Sequence, residues 1–414
     1  MEHHDSRSSL PSRKRKLQEE EEEDEGMLSF SMDELNQDLL ERVLSWLPTS
    51  TFFRLRSVCK RWKSVADSAS FKFACSQIPS RDPWFFMVDP HLRKWTIFDS
   101  AERSWKKINH PPLLQQSSNS NSMPVAASGG LVCFSNDSGC LIVCNPVTGS
   151  CRELSPLNHA TENQSLHVIA MSKCCKPQQS YKLVLVSGEL PTLSCKIYNS
   201  STNCWDEEIL LKRKADETQE FESNDDNAVY FLSKSGNVVA TDMQRSPFKQ
   251  YSSIMTVKDG EEIAYFLSSF GTIVACNLTH KCFSEYPRLL PVFYEYSIDV
   301  VECGGEMLVV LLSEFFGSAS LRVWRFDGVT RSWQQIAAMP PAMSHEFYGK
   351  KVDINCVGAG DQIFICLNSA GFFSYILCDL RTNAWVELPK CFINGEAVEF
   401  MSAFSFEPRI EASV

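Results

Sequence analysis

Two textures of hydrophobic spacing divide the chain. From Leu35 the apolar residues Leu35, Leu39, Leu40, Val43, Leu44 and Leu47 follow at steps of four, one, three, one and three, which draws a stripe along one side of a helix. Asn36 is placed to cap its start and Pro48 to stop it. Thr49 or Ser50 can cap a second short helix carrying Phe52, Phe53 and Leu55, and a third follows with Val58, Cys59, Trp62 and Val65. Three short helices bury too little surface to be comfortable alone, so exposed apolar residues among them call for a partner.

Beyond residue 82 the helical spacing gives way to short apolar runs punctuated by Gly, Asn and Asp. Phe231-Leu232-Ser233-Lys234-Ser235-Gly236 leads into Val238-Val239-Ala240-Thr241-Asp242, and Phe266-Leu267-Ser268-Ser269-Phe270-Gly271 into Ile273-Val274-Ala275-Cys276-Asn277. The same cadence appears from Cys133 through Gly139 to Asn145, and more loosely around Gly188, Gly317 and Gly371. Each reads as strand, glycine hairpin, strand.

After each second strand an Asp or Asn opens a turn, and six positions later comes a large or soft apolar residue: Asp89 with Trp95, Asn145 with Cys151, Asn199 with Trp205, Asp242 with Phe248, Asn277 with Phe283, Asp327 with Trp333, Asp379 with Trp385. Such a side chain bonds its own backbone to make the turn, and the apolar residue anchors the outer strand. Units spaced by about 35 to 56 residues match four-stranded propeller blades rather than helical repeats. Asp99 with Trp105 adds one further pair, which leaves the number of blades at six or seven. Trp84 to Val88 lacks a preceding partner strand and Ser402 to Phe406 is left over at the far end, so the two are expected to share a blade and close the ring.

Composition narrows the function classes. With 43% hydrophobic and 11% aromatic residues in 414, the chain has the material for packed cores. A net charge of -11 argues against a general nucleic-acid binder, and no apolar run approaches the roughly 20 residues of a membrane span. A soluble, non-secreted protein follows, and its 17 cysteines are expected to be reduced thiols. Residues 1–31 form a charged tail expected to be disordered, in which the cluster Arg13, Lys14, Arg15, Lys16 precedes an acidic run from Glu19 to Glu25. The basic cluster has the composition of a nuclear import signal, so the nucleus and/or cytoplasm is the expected location. Gln115 to Ser122 and Lys212 to Asp226 interrupt the strand texture and are read as surface loops.

The run Leu39-Leu40-Glu41-Arg42-Val43-Leu44-Ser45-Trp46-Leu47-Pro48, followed by Leu55-Arg56-Ser57-Val58-Cys59-Lys60-Arg61-Trp62, closely resembles the F-box. The family usually begins with Leu-Pro, whereas here Asn36 follows Leu35. The strand region looks like degenerate kelch repeats, with Gly129-Gly130 and Gly304-Gly305 ahead of apolar strands and Asn145-Pro146-Val147-Thr148 resembling a turn of plant F-box-associated blades. Pro83-Trp84-Phe85-Phe86 after the F-box and Phe406-Glu407-Pro408-Arg409 near the end make the whole similar to the Hawaiian skirt group of plant F-box/kelch-repeat proteins.

The resemblance implies a mostly β chain: a three-helix F-box over 35–75 and a kelch-like β-propeller of six or seven blades over 82–410. It further implies a substrate-recognition subunit of an SCF-type (Skp, cullin, F-box) ubiquitin ligase, in which the F-box docks a Skp-type adaptor, and through it a cullin, while the propeller holds the target protein. The residues this assigns to the adaptor contact are Leu35, Leu39, Leu40, Val43, Leu44, Leu47, Pro48, Phe52, Phe53, Val58, Cys59 and Trp62. Arg54, Arg56, Lys60, Arg61 and Lys63 are read as a solvated face or a contact with an acidic adaptor, with no direct nucleic-acid partner expected. A non-degradative scaffold, or a regulator of a nuclear protein complex, is the alternative.

Propellers also host enzymes, so fold alone does not exclude catalysis. The histidines after the F-box, His91, His110, His159, His167, His280 and His345, are isolated in sequence, and neither a Gly-x-Ser-x-Gly elbow nor a phosphate-binding Gly-Lys loop occurs. Ser135-Asn136-Asp137-Ser138-Gly139 only partly resembles a sialidase Asp-box, itself a structural turn. No catalytic residue, metal or cofactor is expected.

Overall fold

The computed structural model describes residues 35–89, 95–109, 111, 114, 122–136, 139–155, 166–173, 180–214, 230–232, 238–240, 253–268, 271–289, 296–315, 318–350, 352–369 and 371–414. The helical module has four helices, not three: α1 (Gln37–Ser45), α2 (Thr49–Leu55), α3 (Lys60–Val65) and α4 (Ala69–Ser76). Ser68 caps α4 by accepting from the Phe71 N–H. This helix turns only Phe71 and Cys75 inward, a single i, i+4 pair too brief to announce itself as a period. Asn36 does cap α1, accepting from the Asp38 N–H. Thr49 and Ser50 do not cap α2; Pro48 holds that position, and both hydroxyls point elsewhere.

The module closes on Leu40, Leu44, Phe52, Trp62, Val65, Phe71 and Cys75, with the Phe52 and Phe71 rings stacked 4.8 Å apart. Glu41 is buried with them and fastens α1 to α4, accepting from Ser70 Oγ at 2.5 Å and from Gln37 Nε2 at 2.9 Å. Burial works to raise its carboxyl, and the hydrogen bonds from Ser70, Gln37 and Ser68 outweigh that and leave it below its ordinary value.

The remaining strands form blades. From the innermost strand outward, blade 1 is Ser402–Phe406, Trp84–Val88, Trp95–Asp99, Ser104–Ile108, and blade 2 is Met123–Ser128, Leu131–Ser135, Leu141–Cys144, Cys151–Glu153. In the same order, blade 3 is Leu166–Lys173, Tyr181–Glu189, Thr192–Asn199, Ile209–Arg213, and blade 4 is Ser253–Lys258, Glu261–Leu267, Ile273–Asn277, Cys282–Glu285. Blade 5 is Tyr296–Cys303, Glu306–Phe315, Ser318–Asp327, Ser332–Ala338, and blade 6 is Asp353–Ala359, Gln362–Ser369, Phe372–Asp379, Ala384–Glu387. The innermost strands neighbour one another in this order and the sixth returns to the first, so among the described residues the ring has six blades.

Blades 3 and 4 share a strand. Ile209–Leu211 pair with blade 3, and Lys212–Arg213 run parallel to Cys282–Phe283 of blade 4. Lys212 and Arg213 therefore belong to a strand and not to the loop expected there. The unit read from Phe231 to Phe248 is not one of these six blades: Tyr230–Leu232 pairs with Val238–Ala240 as a separate two-stranded hairpin, and its Asp242 and Phe248 lie outside the described residues.

The six-residue offset recurs once in every blade, between the third and fourth strands. Asp99, Asn145, Asn199, Asn277, Asp327 and Asp379 each accept a backbone N–H two or three residues on through Oδ1. Four positions after each, Arg103, Gly149, Asn203, Lys281, Arg331 and Asn383 take positive φ. Asp99 with Trp105 is thus the blade 1 member, whereas Asp89 and Trp95 flank the opposite turn of that blade. The indoles also tie blade to blade: Trp105 Nε1 donates to the Pro389 carbonyl, Trp205 Nε1 to Ser155, and Trp333 Nε1 to Pro287, each on the connection leaving the preceding blade. In blade 2 the position holds Cys151, opposite Cys144, and the two form a disulfide, which departs from the expected reduced state.

Polar side chains sew the innermost strands together. Ser297 Oγ and Asp299 Oδ2 accept the N–H groups of Ile354 and Cys356 at 3.1 and 2.6 Å, and Ser405 Oγ donates to the Gly358 carbonyl at 2.8 Å. A Cβ at residue 358 would lie 1.8 Å from the Glu302 carbonyl oxygen, so only glycine allows blades 5 and 6 this approach. The ring closes as expected, with Trp84 opposite Phe406 and Val88 opposite Ser402.

The helical module sits on blade 1. Ser50 Oγ donates to Asp99 Oδ2 at 2.5 Å, Lys106 Nζ pairs with the same oxygen at 2.6 Å, and Arg54 pairs with Glu102 at 2.9 Å. Thr49 Oγ1 donates to the Pro408 carbonyl at 2.7 Å, and Arg81 donates to the carbonyls of Ser45 and Leu47. Ile410 and Val147 pack against the helical core. Polar bonds to blade 1 and the apolar contacts of Ile410 and Val147 thus join the helical module to the ring.

Two outcomes follow. A chain ending at Met401 lacks the innermost strand of blade 1 and exposes the edge of Trp84–Val88, so it should aggregate or become protease-sensitive; an unchanged melting curve would refute closure by this strand. The second concerns acid. Burial works to raise the Asp99 carboxyl, but hydrogen bonds from Lys106, Ser50 and the Glu102 N–H leave it lowered. A lowered carboxyl stabilises above its unfolded value and loses that contribution as pH falls through the folded one. The seat should thus hold at neutral pH and loosen below about pH 4, seen as faster proteolysis at 77–83, with Asp99→Asn showing the same loosening at pH 7.

Candidate functional site

The helical module has a second apolar side that its own core does not use. Of the twelve residues assigned to the adaptor contact, Leu40, Leu44, Phe52 and Trp62 are buried inside the module in this structure, at 0, 1, 2 and 7% exposure. They are packing residues of the unbound chain. Leu35, Leu47, Phe53 and Cys59 are partly buried against that core; Cys59 Sγ caps α3, accepting from the Trp62 N–H. Leu39 and Val43 are exposed at 55 and 46%, and Pro48 and Val58 also face outward.

Helical geometry explains the division. Leu40 and Leu44 share the inward face, and Leu39 and Val43, each one position earlier, share an outward one. Trp46 continues the outward row three residues beyond Val43, with 65% of its surface exposed. Its spacing from Leu39 and Val43 is visible in the sequence, but the apolar stripe that ends at Leu47 passes it by. Phe73 on α4 is likewise exposed and was missed. A helix with two apolar rows about 100° apart has a use for two partners, and covering one such side chain is worth about 1.5–3 kcal/mol.

The ring has two unlike faces. The tight turns with the Asp or Asn residues lie on the face that carries the helical module, which covers the sector of blades 1 and 2. The ends of the outermost strands, from which the chain passes on to the next blade, lie on the opposite face. The central channel forms a cavity of about 1100 Å³ lined by innermost strands of all six blades, with Trp46 to Thr49 and Ile78 to Pro83 at its rim. Asp361 and Arg381 pair at 2.5 Å beside it, and burial pushes the nearby Glu302 carboxyl up while the Gly305 N–H holds it.

Among the described residues no group of three or more His, Cys, Asp or Glu gathers as a metal site, and no helix is long and apolar enough to cross a membrane. His167 stacks on Phe266 with Nε2 against the Gly188 carbonyl, and His280 pairs with Glu261 at 2.8 Å. His91, His110, His159 and the cluster Arg13 to Lys16 lie outside the described residues. Burial pushes the thiols of Cys195 and Cys378 up to about 12 and raises those of Cys133, Cys276 and Cys303 further, which makes them poor nucleophiles at neutral pH.

Comparison with known proteins agrees with this geometry. Residues 32–74 match the F-box domain and residues 85–368 the F-box associated beta propeller domain. F-box only protein 13 of Arabidopsis thaliana is 53% identical over 414 residues, covering 97% of this chain and 90% of that protein. Protein UNUSUAL FLORAL ORGANS of the same plant is 22% identical over 91% of this chain and 85% of its own length. Among solved structures, TolB from Acinetobacter baumannii overlaps 84% of this chain and 72% of its own at 9% identity and a TM-score of 0.40. With its helical module and its ring both accounted for, the chain belongs to the plant F-box proteins that carry an F-box associated β-propeller domain.

Proposed function

We propose that the chain is the substrate-recognition subunit of an SCF-type ubiquitin ligase, non-catalytic in itself. The observation that carries this reading is the outward row Leu39, Val43 and Trp46 on a helix already packed from its inner side. A Skp-type adaptor covers that row and links the chain to a cullin. The propeller holds a target protein, and the rate gain comes from the raised effective concentration of target beside activated ubiquitin. The face from which the inter-blade connections leave is the capture surface we favour, because the helical module occupies part of the other.

The once-per-blade Asp/Asn turn and the Gly-Gly pairs support a kelch-like reading of the blades, within the Hawaiian skirt group. An Arabidopsis F-box/kelch-repeat protein 32% identical over 45% of this chain supports it too. The cluster Arg13 to Lys16 supports nuclear import, with the chain working in nucleus and/or cytoplasm; a fluorescent fusion that loses nuclear signal when the four are changed to alanine is the expected result.

The adaptor reading is tested by the double variant Leu39→Glu, Val43→Glu in the full chain. A charge on a dry interface costs several kcal/mol, so adaptor capture should fall at least ~100-fold while the melting curve is kept. Leu44→Asp should instead unfold the helical module, because Leu44 is internal. Undiminished capture by the folded double variant would sink the assignment.

A further inference from the structure

We propose that Arg409 is the positioning residue that fixes the orientation of the F-box on the propeller. The inference rests on the proposed adaptor docking for its functional meaning, but its structural part stands without it. Arg409 follows the ring-closing strand Ser402–Phe406 and is almost wholly buried, at 3% exposure. All five of its N–H donors are matched. Nε donates to Glu407 Oε2 at 2.6 Å, and Nη2 reaches that same oxygen at 2.5 Å and the Pro79 carbonyl at 3.0 Å. Nη1 donates to Glu411 Oε1 at 2.9 Å and to the Ile78 carbonyl at 3.1 Å.

Ile78 and Pro79 belong to the segment joining α4 to the first propeller strand, so one side chain holds both ends of the propeller at the place where the F-box leaves it. The segment around Arg409 is itself fixed to blade 2. Asn145 Nδ2 donates to the carbonyls of Arg409 and Ala412 at 2.9 and 2.8 Å, while its Oδ1 accepts from Val147 and Thr148. A Cβ on residue 130 would come within 2.8 Å of Arg409 Cβ and 2.7 Å of Ala412 Cβ, so the tail lies directly on Gly130. Ile410 then enters the helical core, and Ala412 and Val414 pack against the core between blades 2 and 3. The tail is a strut from ring to F-box, and Arg409 is its fastening.

Such a strut matters to a ligase subunit because the target is presented from the ring and the adaptor is held by α1. Fixing the angle between them fixes which lysines come within reach of the ubiquitin carrier. Lys cannot replace Arg409 in full, since an ammonium offers three donors and no planar fork.

The experiment compares full-length wild type with Arg409→Met and Arg409→Lys by hydrogen exchange, without adaptor. Arg409→Met should raise exchange at 77–83 and 47–54 at least ~tenfold while peptides 306–315 and 362–369 in blades 5 and 6 keep their protection; Arg409→Lys should raise it less. Unchanged exchange at 77–83 would overturn the proposal, as would equal loss of protection around the whole ring. In a reaction reconstituted with adaptor, cullin and conjugating enzyme, Arg409→Met should broaden the set of this chain's own lysines that become modified. An unaltered set would show that the tie does not govern orientation. Failure of the wild type to bind a Skp-type adaptor would count against the proposed function alone, because the exchange comparison needs no adaptor.

Discussion

The pairing of Ser402–Phe406 with Trp84–Val88 is the contact from which the remaining architecture follows. A blade that takes strands from both ends of the chain closes the ring with a full ladder of main-chain hydrogen bonds. Here the last strand supplies the innermost position of blade 1 and the first supplies its neighbour, so the chain enters and leaves the ring at one place. The helical module, attached just before the first strand, is therefore brought against the tail that follows the last. The Thr49 bond to Pro408, the Arg409 bonds to Ile78 and Pro79, and the entry of Ile410 into the helical core are all consequences of that closure.

Much of the ring was legible because its turn has a strict chemical form. An Asp or Asn that bonds the next backbone N–H groups, a residue that tolerates positive φ four positions on, and an apolar anchor two beyond that leave a fixed trace in sequence. The trace also misled, since Asp89 and Trp95 have the same separation but flank a turn on the other face. Spacing alone cannot say which side of a blade a turn lies on. The residues four positions after Asp99 and Asp89 would not separate them either, because what decides is the strand order that only pairing reveals.

The candidate site was half legible. Apolar periodicity found α1, but periodicity reports that a position is apolar and not whether the chain's own core or a partner covers it. Leu40 and Leu44 went inward because α4 packs on α1, and α4 was the one helix whose pattern was too short to read. Arg409 carries no periodic signal at all. Its role comes from four acceptor groups converging on it, two of them backbone carbonyls more than three hundred residues earlier.

The use of an arginine at this junction says something about what the junction is for. A buried ion pair seldom outperforms well-packed apolar side chains in net stability, because desolvation consumes most of the Coulombic gain; removing one partner nevertheless costs about 3–5 kcal/mol. Glu411 makes the second half of that statement concrete: it is buried, one carboxylate oxygen rests on Arg409 and the other has no hydrogen-bond donor. An apolar plug of similar volume could glue the F-box to the ring in several neighbouring poses, since dispersion is nearly indifferent to small rotations. Five donors facing two carboxylates and two carbonyls tolerate one pose. The charged network therefore gives up some stability for a single geometry at the junction of helical module and ring.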